Sequence, residues 1–174
     1  HLGKIEAYKR IKDLGKLSVQ YDVQLNRRKE FDLRRGNRSN TPVIDLRLFT
    51  NTLQTNLEVE YLDNLKIDTG VLIRYQQNDA ISGTGTNPLI PDFTKYDAGL
   101  FTIANYYLNE STDFSAGFRY DFSKIDARKR YNVTDWNETF NYDELFPEFE
   151  TGTINGTRIL TNPKYTFHNL SASL

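Results

Sequence analysis

Apolar and polar residues alternate with a period of two along much of this chain. The clearest stretch runs from Lys16 to Asn26, where five apolar residues alternate with polar neighbours: Leu17, Val19, Tyr21, Val23 and Leu25. Successive side chains of a β-strand point to opposite faces of the sheet. The pattern therefore predicts a strand with one apolar and one polar face.

The same alternation predicts seven strands. They are Leu2 to Tyr8, Lys16 to Asn26, Leu53 to Tyr61, Leu65 to Gln76, Tyr96 to Leu108, Phe114 to Phe122, and one that begins near Tyr165. The residues Leu62, Asp63 and Asn64 form a predicted tight hairpin turn. No helical periodicity of useful length competes. We therefore expect an all-β fold, an antiparallel up-and-down meander.

The predicted connections alternate between short and long. The long ones lie near residues 34–42, 78–92 and 131–163. In a meander every second connection lies at the same end of the sheet, so one end carries all the long loops. Short periplasmic turns and long extracellular loops are typical of transmembrane β-barrels of the outer membrane.

Strand length and face polarity agree with a membrane wall. Leu17 to Leu25 is nine residues and Leu65 to Tyr75 is eleven, and a tilted strand needs about 9–11 residues to cross a bilayer. The residues predicted to face lipid are Leu17, Val19, Tyr21, Val23, Leu25, Ile67, Val71 and Ile73. The opposite row carries charges of both signs, and its predicted lumen-facing members include Asp68, Arg74, Arg119 and Asp121. A soluble antiparallel sheet packed on its apolar side would alternate in the same way.

Composition excludes several classes of function. The 174 residues include no Cys, no Met and two His, which argues against thiol catalysis, disulfides and zinc sites of Cys or His type. We find no catalytic constellation and predict no enzyme activity, cofactor or metal. The mean hydropathy of −0.62 argues against a membrane-spanning helix. The formal net charge of −1 offers no general attraction for nucleic acid.

A basic cluster near the first long loop is a candidate anion site. It consists of Arg27, Arg28, Lys29, Arg34, Arg35 and Arg38. On the barrel interpretation it lies outside the cell, where lipopolysaccharide phosphates are natural partners. The alternative is a solvated strand extension partly neutralised by Glu30 and Asp32.

The longest loop contains aromatic rings among carboxylates. Trp136, Phe140 and Tyr142 lie close to Asp135, Glu138 and Asp143. Such a surface can bind a sugar or a cationic or chelated ligand, so these three aromatic residues are the candidate ligand-binding residues. The alternative is that the rings only pack the loop onto the rim of the sheet.

Three phrases in order along the chain resemble one family. They are GKLSVQYDVQLNRRKEFDLRRG (Gly15 to Gly36), NPLIPDFTKYDAGLF (Asn87 to Phe101) and AGFRYD (Ala116 to Asp121). Together they resemble the barrel domain of a TonB-dependent outer-membrane receptor. The resemblance implies a location in the outer membrane of a Gram-negative cell and import of a scarce nutrient such as an iron–siderophore complex.

The resemblance also implies partners that these residues do not include. They are the bilayer and its lipopolysaccharide, the plug domain and the remaining barrel strands, and the TonB energy-coupling protein. Since such barrels have about 22 strands, residues 1–174 are expected to be a partial barrel domain, either a fragment or one traced part of a larger molecule. Two alternatives stay open at this point: a soluble β-sheet module that binds carbohydrate or another ligand, and a small structural outer-membrane barrel.

Overall fold

The structure, a computed structural model, describes residues 1–12, 14–86, 90–132, 150–154, 157–161 and 165–174. The described chain is built from β-strands, with one short 3₁₀ helix at Leu33–Arg38. The strands are β1 (Leu2–Ile11), β2 (Gly15–Glu30), β3 (Ile44–Leu62), β4 (Leu65–Ala80), β5 (Asp92–Asn109), β6 (Thr112–Asn132), β7 (Glu150–Ile154), β8 (Thr157–Thr161) and β9 (Tyr165–Ser173).

All nine strands belong to one antiparallel sheet. Strands β1 to β6 follow one another in sequence order. The far side of β6 is shared, because β9 pairs with Gly117 to Ile125 and β8 pairs with Arg128 to Asn132. Strand β7 then pairs with β8. Within the described residues β1 pairs only with β2, so the sheet is open.

Seven of the strands are long, between 9 and 21 residues, and they coincide with the seven predicted from alternation. The predicted all-β antiparallel meander is confirmed. Three features were not predicted. Strand β3 begins at Ile44, nine residues before the predicted start at Leu53, and strand β6 ends at Asn132, ten residues after the predicted end at Phe122. The short strands β7 and β8 form a hairpin inside the predicted loop 131–163.

The connections between the long strands are short at one end of the sheet and long at the other. The short ones are residues 12–14, 63–64 and 110–111, whereas the long ones are 31–43, 81–91 and 133–164. We call these ends the turn end and the loop end. The entry into β2 requires glycine, because Gly15 has φ = +145° and a Cβ there would collide with the carbonyl oxygen of Glu58.

The described sheet is a single layer. Only Leu46 and Ala127 among its hydrophobic side chains are buried, and both lie close to the loop end. No helix among the described residues has the length and hydrophobicity needed to span a membrane. The sequence therefore forms long paired strands, and no second layer of described residues packs against either face of their sheet.

Candidate functional site

Strand register sorts the side chains into two chemically distinct faces. On β2 and β3, Leu17 pairs with Leu57, Tyr21 with Leu53, and Leu25 with Phe49. The same face continues through the apolar positions of β4, β5, β6 and β9. All eight residues predicted to face lipid lie on this face, which we call the apolar face.

The apolar face is not covered by any other described part of the chain. Ile73 is 50% exposed, Leu100 is 47% exposed and Phe114 is 58% exposed. A soluble domain normally buries a continuous apolar surface of this kind, because each Å² of apolar area left in water costs about 25 cal/mol. The face therefore needs an apolar partner, and the described residues do not supply one.

Polar residues bound the apolar face at the loop end, and the border differs from strand to strand. The register row that starts at Leu25 on β2 passes through Phe49, Gln77, Thr94 and Asp126. The last apolar residue before the border is Leu25 on β2, but it is Phe122 on β6. Since Phe122 lies four residues before Asp126, the border moves by four residues over four strand-to-strand steps.

The opposite border moves by the same amount. The register row that starts at Leu17 on β2 passes through Leu57, Thr69, Thr102 and Phe118. The apolar row of β6 continues beyond that row to Phe114, four residues nearer the turn end. The two borders thus enclose a band whose ends are eight residues apart on β2, at Leu17 and Leu25, and on β6, at Phe114 and Phe122. We call it the apolar band.

Aromatic rings lie at both borders of the apolar band. Tyr75 and Tyr96 mark the loop-end border, with ring centroids 5.0 Å apart. Beside them, His168 of β9 packs edge-on against Phe122 at 5.4 Å and hydrogen-bonds through Nδ1 to the hydroxyl of Tyr120 at 2.6 Å. The turn-end border carries Tyr106 directly opposite Phe114.

The other face of the sheet is polar, and it holds the four residues predicted to line a lumen: Asp68, Arg74, Arg119 and Asp121. The structure joins two of them, since the Arg119 guanidinium donates two hydrogen bonds of 2.7 Å to the Asp121 carboxylate. This pair lies above Gly99, where a Cβ would come within 2.8 Å of Asp121 Oδ1. Asp68 and Arg74 lie apart from this pair and form no ion pair with a described residue.

Further residues of the polar face were missed by sequence reasoning. Lys95 and Asp97 form an ion pair of 3.0 Å, and Asp97 lies directly opposite Ser123 in the register. Asp97 Oδ2 and Ser123 Oγ are buried without a hydrogen-bond partner in the described chain. Because unpaired buried oxygens are costly in apolar surroundings, this face is unsuited to a dry partner.

A cavity of about 510 Å³ lies on the polar face. Most of the residues that line it lie on this face and come from β3, β5, β6 and β9: Gln54, Phe101, Ile103, Gly117, Arg119, Ser171 and Ser173, with Phe118 and Ala172 of the apolar face at its edge. Strand β3 is separated from β9 by three intervening strands, so the sheet curves with its polar face inside. The apolar face is therefore the outer one.

At the loop end, hydrogen bonds join the two long connections 31–43 and 81–91 to each other. The guanidiniums of Arg35 and Arg38 both donate to the carbonyl oxygen of Thr84, at 3.0 and 3.1 Å. The Thr86 hydroxyl donates to the Val43 carbonyl oxygen at 2.6 Å. Gly85 has φ = +68°, and the Arg38 guanidinium occupies the space that a Cβ would need.

The strand extensions below these loops are held by an ion pair. Arg27 donates hydrogen bonds of 2.8 and 2.7 Å to Asp45, whose side chain is only 6% exposed. These bonds hold the pKa of Asp45 below its ordinary value, with smaller contributions from the charges of Lys29 and Arg47. In the first loop, Arg34 likewise lowers the pKa of Asp32 through side-chain and backbone hydrogen bonds.

The candidate ligand-binding residues Trp136, Phe140 and Tyr142 lie outside the described residues. Within the described part, no group of three or more His, Cys, Asp or Glu side chains could hold a metal ion. Comparisons with protein-family models, curated proteins and solved structures gave no match to this chain. The two contrasting faces are thus the feature on which a function can be argued.

Proposed function

We propose that this chain forms part of the wall of an outer-membrane β-barrel, within a TonB-dependent receptor that imports a scarce nutrient such as an iron–siderophore complex. The observation that supports the barrel is the apolar band, which is exposed, has borders eight to ten residues apart on β2, β5 and β6, and is displaced by about one residue per strand. The hydrocarbon of the bilayer is the apolar partner that the outer face needs.

The displacement of the band is what a flat membrane produces on tilted strands. In barrels the strands tilt by about 35–45° from the axis. With neighbouring strands about 4.8 Å apart, a horizontal plane crosses each strand about 4 Å further along than the last, or about 1.2 residues. The four-residue shift over four steps agrees with this value. A flat protein partner packed on the sheet imposes no such relation.

The height of the band fits the same environment. Along one strand its borders are eight residues apart on β2 and β6, and the aromatic border residues Tyr96 and Tyr106 are ten apart on β5. At a rise of about 3.3 Å per residue and a tilt of about 40°, these separations correspond to a height of about 20–25 Å. Outer-membrane barrels carry an apolar band about 25 Å tall, flanked by aromatic girdles.

The polar face supports a wet lumen on the inner side. It carries the Arg119–Asp121 pair, and buried Asp97 Oδ2 and Ser123 Oγ have no hydrogen-bond partner among the described residues. In a receptor, water and the plug domain supply donors and acceptors to such a wall. We assign Asp68, Arg74, Arg119 and Asp121 to this contact, in which they bind the plug or water and take part in no chemistry.

The receptor assignment rests on the resemblance of the three sequence phrases. The remaining strands and the plug complete the barrel, and TonB supplies the pulling force that moves the plug. The loop end then faces outward, with lipopolysaccharide around it, and the loop that carries Trp136 contributes to ligand capture.

Uptake in the native cell tests the receptor. Deletion of the gene should abolish energy-dependent uptake of at least one radiolabelled iron chelate, and the intact gene should restore it. Arg119→Leu should impair uptake and increase leakage of large antibiotics, because the plug loses a hydrogen-bonding partner. The amount of protein in the membrane should not change.

A matched control is Lys66→Leu, which removes a polar-face cation at the turn end whose ion pair among the described residues is with Glu60 at 3.6 Å. It should leave uptake close to that of the unaltered protein. Unchanged uptake of every chelate after deletion, or a protein recovered from the soluble fraction, would contradict the proposal.

A further inference from the structure

The structure divides the basic cluster near the first loop into two groups. Arg28 pairs with Glu30, Arg34 pairs with Asp32 at 2.9 Å, and Arg35 and Arg38 donate to Thr84. These four cations already have partners. Arg27 and Lys29 lie on the other face of β2, which is the face that carries the apolar band.

Strand β3 adds a third cation that the sequence pattern did not reveal. Arg47 lies directly opposite Arg27 in the register, and Asp45 lies directly opposite Lys29. Arg27, Lys29 and Arg47, which we call the border cations, therefore surround one buried carboxylate. The charges of all three lower the pKa of Asp45, so all three are within electrostatic range of it.

The border cations carry more charge than their surroundings neutralise. Only Arg27 is bonded to Asp45. Asp79 lies directly opposite Arg47 on β4 and accepts hydrogen bonds from Gln77, so the three cations face two carboxylates and leave an excess of one positive charge. Lys29 and Arg47 are exposed and form no hydrogen bond or ion pair with any described residue. They provide a primary ammonium and a guanidinium on adjacent strands, the two groups that bind phosphate most readily.

The position of these cations selects a lipid as the source of the phosphate. They lie on the outer face beyond Leu25 and Phe49, which end the apolar band on β2 and β3: Arg47 is two residues beyond Phe49 and Lys29 is four residues beyond Leu25. A lipid whose chains cover the band places its head group at that height. Basic residues next to the hydrocarbon typically bind anionic lipid in this way.

We propose that Lys29 and Arg47, held in place by the Arg27–Asp45 pair, form a binding site for the phosphate group of a membrane lipid. The site rests on the proposed membrane location but not on the receptor assignment. Lys29 and Arg47 bind the phosphate directly, while Arg27 orients Asp45 and contributes charge. Lipopolysaccharide and anionic phospholipids share this phosphate chemistry.

Native mass spectrometry of the full-length protein in detergent tests the site. The purified protein is titrated with lipopolysaccharide, with phosphatidylglycerol and with inorganic phosphate, in separate experiments. The double variant Lys29→Gln, Arg47→Gln should bind at least one of the two lipids about 30-fold more weakly than the unaltered protein. Neither residue forms a hydrogen bond or an ion pair with a described residue, and Arg27 remains bonded to Asp45, so the double variant should still fold.

Arg28→Gln is the matched control, because it removes one cation from the same strand on the opposite face. It should change lipid affinity by less than about threefold. Affinity lost for both lipids identifies any phosphorylated lipid as the partner, whereas affinity lost for one identifies that lipid. Either result supports the site.

Three results would overturn the site: equal lipid affinity in the double variant and the unaltered protein, equal loss in the double variant and Arg28→Gln, or displacement of lipid by millimolar inorganic phosphate. If instead the proposed membrane location is wrong, the spectra would differ in another way: the unaltered protein would carry no detergent or lipid belt.

Discussion

Tyr75 of β4 and Tyr96 of β5 lie directly opposite each other on the outer face, with ring centroids 5.0 Å apart and ring planes inclined by 49°. They form the last apolar pair before Gln77 and Thr94, where the polar extension of the two strands begins. Tyrosine suits such a border, because its ring is apolar and its hydroxyl can reach water or lipid head groups.

A double-mutant cycle measures how much this ring pair contributes. Tyr75→Ala and Tyr96→Ala should show a coupling free energy of about 0.5–1.5 kcal/mol in unfolding from lipid vesicles, because the tilted rings contact each other. Tyr21→Ala paired with Tyr96→Ala is the control. Those two residues lie on strands that are not neighbours, so their coupling should be near zero, and similar coupling in both cycles would contradict the pair interaction.

Val71, near the middle of the apolar band, tests contact with hydrocarbon. Val71→Arg should lower the free energy of unfolding of the full-length protein in vesicles by about 2–4 kcal/mol, because the guanidinium would enter the centre of the bilayer. Leu72→Arg is the matched control, since the next residue along β4 points to the polar face. It should cost less than about 1 kcal/mol. Equal costs for the two variants would mean that the faces do not differ in environment.

Gly70 tests close packing on the polar face. A Cβ at this position would lie 2.5 Å from the carbonyl oxygen of Thr55 and 2.6 Å from the ring of Phe101. Gly70→Ala should therefore reduce the free energy of unfolding by about 1–3 kcal/mol, because both groups must move. Gly3→Ala has no neighbour closer than 4.0 Å and should be close to neutral. A neutral Gly70→Ala would show that Phe101 does not pack against this glycine.

The Arg27–Asp45 pair predicts a pH dependence of stability. Because Arg27 holds the pKa of Asp45 below its ordinary value of 3.8, the folded state binds fewer protons than the unfolded state. The pair therefore contributes its full stability above that value and loses it as the pH falls through the folded pKa. The thermal midpoint in detergent should fall on acidification below pH 3.8, and it should fall less in Asp45→Asn.

The control for this titration is Asp63→Asn in the turn between β3 and β4, where the carboxylate is exposed and has no ion-pair partner in the described chain. Its acid profile should match that of the unaltered protein. A profile of Asp45→Asn that also matches would show that the pair does not contribute to acid sensitivity.

How far the sequence predicts this fold depends on which part of a strand is considered. Within the apolar band one face is apolar and the other polar, so alternation from Leu17 to Leu25 located β2 correctly. Above the band the alternation ends. Leu46 and Leu48 lie on the polar face of β3 whereas Phe49 lies on the apolar face, so the first part of β3 and the position of Arg47 could not be predicted.

The candidate site follows the same division. Alternation assigned Asp68, Arg74, Arg119 and Asp121 to one face, and the register agrees. The pattern does not show which of these residues bond to each other. That depends on the spacing of neighbouring strands and on side-chain rotamers, which cannot be predicted from alternation in a single sequence. The hydrogen bonds from Arg35 and Arg38 to Thr84 connect residues that are 49 and 46 positions apart in the sequence. No local sequence pattern indicates such a contact.

The most direct test of the proposal that the apolar face contacts lipid is a labelling scan along β4 in the full-length protein in vesicles. These 174 residues contain no cysteine, so single cysteines at positions 67–76 can be spin-labelled one at a time. Labels at Ile67, Thr69, Val71 and Ile73 should be accessible to oxygen dissolved in lipid, and labels at their even-numbered neighbours to a water-soluble nickel chelate. Access to the chelate at odd and even positions alike, or the opposite alternation, would contradict the account.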